Sequence, residues 1–216
     1  MNRTSFLIDG FNLYHSVKQA ATDLGLGGAG TRWLDLRRLC SSYLHLVSPD
    51  AALAEIHYFT ALATHLEPAN PNVTLRHRDY IRCLEATDVL PVVSRFKEKR
   101  LHCPHCNSLI LRHEEKETDV AIALRLIELL HSNRCDTIVV MTGDTDIAPA
   151  VRMAQHLYPG KRLMFSFPYR RKNKELAQLV GPGNSFVISS RSYTQHQLPD
   201  PMILPDGSQI NKPAKW

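Results

Sequence analysis

A chain of 216 residues, 44% hydrophobic and 22% charged, can bury a core of its own without disulfide staples. No apolar run approaches the roughly 20 residues that span a bilayer, and MNRTSFLIDGFNLYH places charges where a signal peptide needs an uncharged stretch; this predicts a cytoplasmic protein with no membrane partner. The net charge of +5, with an isoelectric point near 9.0, favours acidic partners without naming one.

Short apolar runs alternate with amphipathic stretches. SFLID (5–9) predicts a buried strand ending in a carboxylate, FNLYHSVKQAATDL a helix, and GLGGAG (25–30) a flexible loop. WLDLRRLCSSYLHLV (33–47) has helical periodicity, with Leu36, Leu39, Tyr43, Leu46 and Val47 on one face. A strand over 54–62, a helix over 76–87 and a strand over 89–96 follow. Residues 97–116 break this rhythm with CPHC and many polar residues, which predicts an insertion. Beyond it come a strong helix (120–132), a buried strand (136–144), the helix IAPAVRMAQHLY, a strand (162–167), a short helix (174–180) and a last strand (185–189). This β-α-β order predicts an α/β fold with a mostly parallel central sheet and helices on both faces, in one domain over residues 1–190. Residues 191–216 are expected to form an extended tail, its last twenty residues carrying four prolines.

The positions of the acids carry the functional information. Asp9 ends the first strand, Asp144 ends the most apolar strand with Asp146 just beyond it, and Asp119 opens the strongest helix. In a parallel sheet the carboxyl ends of the strands face one crevice. A helix that leads into a parallel strand starts on that same side, so the four acids converge from three distant parts of the chain. Each alone has an ordinary explanation as a turn or helix cap. Together they repel one another unless a cation neutralises them, and hard oxygen ligands suit Mg²⁺ or Mn²⁺, with Asp9, Asp119 and Asp144 as the expected metal ligands. Such an ion lowers the pKa of an attacking water and stabilises charge on a phosphodiester. Asn12 is placed to hold a water or phosphate oxygen, and Thr142 and Thr145 to hydrogen-bond the flanking carboxylates.

LIDGFNLYH (7–15), KETDVAIALRL (116–126) and VVMTGDTDIAPAV (139–151) resemble the three signature blocks of the NYN domain, a branch of the PIN-like nucleases, in order and spacing over roughly residues 5–190. The resemblance implies a three-layer α/β/α PIN-like fold and metal-dependent endonucleolytic cleavage of single-stranded or structured RNA, with Asp9, Asn12, Asp119, Asp144 and Asp146 as the catalytic set. One departure is Ile147, where relatives commonly carry an aromatic residue. Some family members are regulatory proteins, so an RNA-binding module without turnover is the alternative. A haloacid-dehalogenase-type phosphatase, suggested by Asp144-Thr-Asp146, is disfavoured because the first strand is not followed by the D-x-D that its chemistry needs.

Cys103-Pro-His-Cys106 is half of a structural Zn²⁺ site. His113 with one more group, or a second copy of the chain in a homodimer, would complete it; a reduced, metal-free turn is the plain alternative. Cys40, Cys83 and Cys135 lie in apolar or helical surroundings and are expected as buried thiols. Two basic clusters, Arg95, Lys97, Lys99 and Arg100 with Lys116 nearby, and Arg170, Arg171 and Lys172, are expected to flank the acidic mouth and hold RNA phosphates. Gly25 to Gly30 fits G-x-G-x-x-G by letter, but a helix precedes it, which excludes the dinucleotide-binding turn.

Overall fold

The computed structural model describes residues 1–27, 29–102 and 104–214. Among them the strands are β1 (Asn2–Asp9), β2 (Ala51–Leu62), β3 (Leu90–His102), β4 (Leu109–Lys116), β5 (Thr137–Met141), β6 (Arg162–Phe167), β7 (Ser185–Val187), β8 (Met202–Ile203) and β9 (Gln209–Ile210). The helices are α1 (Gly10–Asp23), α2 (Ala29–Arg32), α3 (Leu36–Ser42), α4 (Val73–Glu85), α5 (Thr118–His131), α6 (Ala148–Leu157), α7 (Lys174–Val180) and α8 (Ser190–Gln195). Strands β1 to β7 form one sheet in the order β4-β3-β2-β1-β5-β6-β7, parallel throughout except for the antiparallel edge strand β4.

Alternation along the strands divides the core in two. Phe6, Ile8, Tyr58, Val139 and Met141 face one layer, where they pack with Leu13 and Val17 of α1, Leu36 and Leu39 of α3, and Tyr80 and Leu84 of α4. Leu7, Phe59, Ile138, Val140 and Phe165 face the other, against Ile122, Leu126 and Leu129 of α5, Val151 of α6 and Leu176 of α7. The result is the predicted three-layer α/β/α arrangement. Leu126 is fully buried within the second layer, so Leu126→Ala is expected to cost about 2–5 kcal/mol by the transfer and cavity terms, read as a lower urea midpoint.

Four segments differ from the sequence expectation. The helix predicted over 33–47 is confined to Leu36–Ser42, with a 3₁₀ turn at Leu44–Leu46. Asp35 caps its start by accepting from the Arg38 N–H at 2.9 Å, and the preceding Leu34 bridges to Gln197. The supposed insertion is a β-hairpin: β3 continues to His102 and β4 returns in register from Leu109. The last residues are not wholly extended. Leu198, Met202, Leu204 and Ile210 are buried in the first core layer, and the Trp33 indole donates to the Pro199 carbonyl at 3.1 Å. The prolines break the segment into short pieces, while these spaced apolar side chains anchor it over Trp33. The loop predicted over 25–30 is cut short: Gly25 has φ +66° in the turn after α1, but Ala29 and Gly30 already belong to α2, and Gly28 lies outside the described residues.

The buried thiols are as expected: Cys40, Cys83 and Cys135 are all core residues, and burial pushes the Cys40 and Cys83 thiols well up, Cys83 to about 11. At the far end of the sheet, Asp136 accepts from the Arg3 guanidinium at 2.9 and 3.0 Å, from the Arg3 N–H at 3.0 Å and from Lys161 at 3.3 Å. The Arg3 hydrogen bonds, followed by Lys161, hold the carboxyl well below the usual range. A depressed folded pKa stabilises above the unfolded value, and that contribution fades as pH falls towards the folded one. Asp136→Asn is therefore expected to melt lower than wild type at pH 7, with the difference closing as pH drops from about 5 towards 2.

Candidate active site

The chain fills one side of the sheet, from β1 through β4, and then returns through α5 to place β5 on the other side of β1. The β1/β5 junction is thus the switch point of the topology, where the strand ends open a crevice. Asp9 ends β1 and also caps α1, its Oδ1 accepting from the Asn12 N–H at 2.9 Å. Its Oδ2 accepts from the Thr142 hydroxyl, just past β5, at 2.7 Å. Asp9 is thereby a buried carboxylate locked in orientation.

The loop after β5 is drawn onto α1 by small, directed contacts. Thr142 Oγ1 accepts from the Asp144 N–H at 3.1 Å, and Asp144 Oδ1 accepts from the Asp146 N–H at 3.1 Å, capping a 3₁₀ turn at Thr145–Ile147. The Gly143 N–H donates to Asn12 Oδ1 at 3.2 Å, and the Gly143 carbonyl accepts from Asn173 Nδ2 at 3.2 Å. The Asn12 side chain is thus tied to the loop through its Oδ1. Gly143 is needed sterically, since a Cβ there would collide with the Arg171 carbonyl oxygen. Gly10 serves likewise: a Cβ would stand 2.5 Å from the Phe59 carbonyl oxygen and 2.8 Å from the Tyr58 ring.

Asp119 lies in the first turn of α5. Burial and then the charges of Asp9, Asp144 and Asp146 push its pKa up, so the four acids share one electrostatic field. Burial foremost, aided by Asp144, also raises Asp9 against the opposing hydrogen bonds from Asn12 and Thr142. A fifth carboxylate, Glu115, joins them; its pKa is raised by burial first and then by Asp9 and Asp119, while the Thr118 hydroxyl donates to it at 2.6 Å. Sequence reasoning passed over Glu115 because it lay in the presumed insertion. The period-two alternation of a strand, once β4 is known, turns it to the same face as its cross-strand partner Phe96.

None of these five carboxylates forms an ion pair among the described residues. Their charge and all-oxygen donor set fit a hard divalent cation. Among the described residues, however, no group of three or more His, Cys, Asp or Glu side chains stands close enough to hold a metal ion by itself. The fit is therefore to a largely hydrated ion held by one or two carboxylates, as Mg²⁺ is commonly bound beside phosphate.

The basic clusters differ in kind. On the β3–β4 hairpin, Arg95 and Lys97 approach Glu117 at 2.7 and 4.0 Å, Lys99 and Lys116 approach Glu114 at 3.0 and 2.9 Å, and Arg100 approaches Glu98 at 2.7 Å. Arg170 pairs with Asp23 at 2.8 Å and lies over the Tyr169 ring. Arg171 and Lys172 are exposed and without ion pairs among the described residues, and Arg171 lies directly beside Gly143. Of the zinc set, Cys103 lies outside the described residues, and Cys106 is exposed with its Sγ 2.8 Å from Ser108 Oγ. His113 pairs in register with Glu98, four ladder positions from His102↔Leu109, or about 14 Å at strand spacing, and its ring stacks on His65 at 4.1 Å. That placement separates His113 from Cys106.

No helix among the described residues is long and apolar enough to cross a membrane. A solved structure of a protein of unknown function from Vibrio parahaemolyticus RIMD 2210633 superimposes with a TM-score of 0.54 at 15% identity, over 87% of this chain and 93% of that one, which shows a shared fold. Among curated proteins, the chain is 25% identical to the 6-hydroxy-3-succinoylpyridine 3-monooxygenase of Pseudomonas putida (strain DSM 28022 / S16) over 248 aligned positions, covering 99% of this chain and 75% of that protein. The NYN domain model matches residues 3–178, spanning β1, α5 and the loop after β5, and the chain therefore belongs to the NYN domain family of PIN-like, nuclease-type proteins.

Proposed function

We propose that this protein is a divalent-metal-dependent ribonuclease that hydrolyses RNA at the Asp9, Asp119, Asp144 and Asp146 cluster. The observation that supports the proposal is electrostatic: Asp119, from a helix start, feels Asp9 at the end of β1 and Asp144 and Asp146 in the loop after β5, and none of the four forms an ion pair among the described residues. Asp9, Asp119 and Asp144 would hold Mg²⁺ or Mn²⁺ directly or through waters, with Asp146 and Glu115 adding charge to the same field. When bound, such an ion supplies Lewis-acid stabilisation of the phosphate and a more acidic water.

The chain's own residues do the placing. Thr142 and the Asn12 N–H fix Asp9, so its carboxylate needs no reorganisation as substrate arrives. Asn12 acts as a positioning residue by tying the Gly143 loop to α1. Arg171 and Lys172 are free to take RNA phosphates, whereas the hairpin cations must exchange a glutamate for a phosphate to do so. In-line attack by water would leave a 5′-phosphate.

The test is incubation of end-labelled RNAs and single-stranded DNA with Mn²⁺, Mg²⁺ or a chelator. Internal cutting of RNA with 5′-phosphate ends, absent in chelator, is expected. Intact RNA under every condition, with the protein folded, would move the assignment to a non-catalytic RNA-binding module. A second reading, oxygenation of a small aromatic acid, draws on the Pseudomonas relative's name and on a cavity of about 650 Å³ lined by Phe11, Tyr14, Phe96, Arg32 and Arg76. Conversion of 6-hydroxy-3-succinoylpyridine, given a reductant and oxygen, would establish it.

A further inference from the structure

The cavity of about 650 Å³ lies between α1, α4 and the β2–β3 side of the sheet, and it meets the acid cluster at Gly10 and Glu115. Its size falls within the range of small-ligand sites. Phe11 and Tyr14 stand half-exposed at the first turns of α1, and Phe96 meets the His65 ring edge-on at 4.8 Å. These flat surfaces suit stacking of a planar ring.

Its polar groups include two cations and two unpartnered nitrogens beside the hydrogen-bonded Thr60, His77 and Tyr80. Arg32 and Arg76 line it and form no ion pair, and Glu115, at the acidic end, is the only carboxylate in the lining, among the described residues. The Arg32 guanidinium lies 5.6 Å from the Tyr14 ring centre. Arg32 Nε and His65 Nδ1 are both shut off from solvent without a hydrogen-bond partner among the described residues, and only a shift of their side chains would bring either to a ligand. Burial lowers His77 to about 4, so it stays neutral while Thr60 Oγ1 lies 3.1 Å from its Nε2. A planar ring bearing hydrogen-bonding edges and an anionic group is the chemistry these walls accept.

We propose that this cavity receives one RNA nucleotide flanking the bond that is cut, the base stacked among Phe11, Tyr14 and Phe96 and its phosphate met by the free guanidinium groups. The proposal rests on the ribonuclease reading, since continuity with the acid cluster makes the occupant part of the cleaved strand. It gives the enzyme a nucleotide preference at one position beside the cut.

The test has two arms on the intact chain. Calorimetry measures binding of the four nucleoside 5′-monophosphates and of 4-hydroxybenzoate to wild type, Arg32→Gln and Arg76→Gln; sequencing maps the ends cut from a random RNA pool. At least one nucleotide should bind, about tenfold more weakly after loss of either charged donor. One base should be enriched beside the cut ends, and less so in Arg32→Gln. Melting curves report whether the variants fold. If they do not, amide shifts in wild type centred on Phe11, Tyr14 and His65 still identify the site. Cutting without base preference, and without nucleotide binding, overturns the pocket and leaves the nuclease standing. Nucleotide binding lost in the variants, with no cutting in any metal, upholds the cavity as a nucleotide site but overturns the nuclease and the cavity's place beside a cut. Binding of 4-hydroxybenzoate but of no nucleotide overturns the pocket proposal.

Discussion

Asp119→Asn is expected to lower RNA cleavage by about 10²–10⁴-fold, the rate equivalent of the several kcal/mol that a metal site contributes to charge stabilisation, while the protein stays folded. The two readouts separate because the Asp119 carboxyl makes no side-chain hydrogen bond among the described residues and stands in a field of like charge. Burial and Asp9, Asp144 and Asp146 raise its pKa. A carboxylate with a raised folded pKa costs stability above that pKa, so at pH 8 the neutral amide removes a repulsion. Against that, Asn forgoes the favourable position of an anion in the first turn of α5, worth about 0.3–1 kcal/mol. The two nearly cancel, and the melting temperature should move by only a few degrees. Mn²⁺ should distinguish the proteins further. At about 100 times its dissociation constant it should stabilise wild type by about 2.7 kcal/mol, or roughly 5–10 °C for a chain of this size, and should stabilise the variant much less. Equal cleavage by both proteins would remove Asp119 from the site.

Gly143→Ala is the second large effect, and it reaches activity through the backbone. A Cβ at this position is driven into the Arg171 carbonyl oxygen. Neither side can yield cheaply, because Gly143 is held by Asn12 on one side and by Asn173 on the other. Asn173 in turn caps α7 through the Glu175 and Leu176 N–H groups at 2.9 and 3.2 Å. Overpacking of this kind costs about 1–3 kcal/mol, or a drop of roughly 2–12 °C. The loop that carries Asp144 and Asp146 must also shift from Asp9, and a misplacement of about 1 Å can cost 10²-fold in rate. Cleavage should therefore fall about 10²-fold at a temperature where the variant remains folded. Asn173→Ala should show the same direction with a smaller amplitude.

Both effects expose what sequence alone could and could not convey. SFLID and DTIVVMTGD announce central strands because burial on both faces demands continuous apolar runs, and their terminal acids fall at the switch point for topological reasons. The helix from Asp119 was legible from its apolar spacing. The hairpin was not, because β3 and β4 beyond the sheet's covered part mix charged and exposed apolar residues without one buried face, and the antiparallel backbone ladder rather than burial joins them. Glu115 was hidden with it. The packing of Leu198, Met202 and Ile210 was likewise invisible, since their partner is the distant Trp33 region and no local periodicity reports it. The basic clusters were readable as charge but not as availability, which depends on which lysines and arginines already face a glutamate.

The central claim, that one acidic site both holds a divalent ion and cuts RNA, is tested most directly by titrating Mn²⁺ into wild type and Asp119→Asn by calorimetry, beside cleavage at the same Mn²⁺ concentrations. Wild type should bind the ion with a dissociation constant that matches half-maximal cleavage, and the variant should lose both together. Cleavage that persists unchanged in chelator, or ion binding that the variant retains in full while cutting is lost, would contradict it.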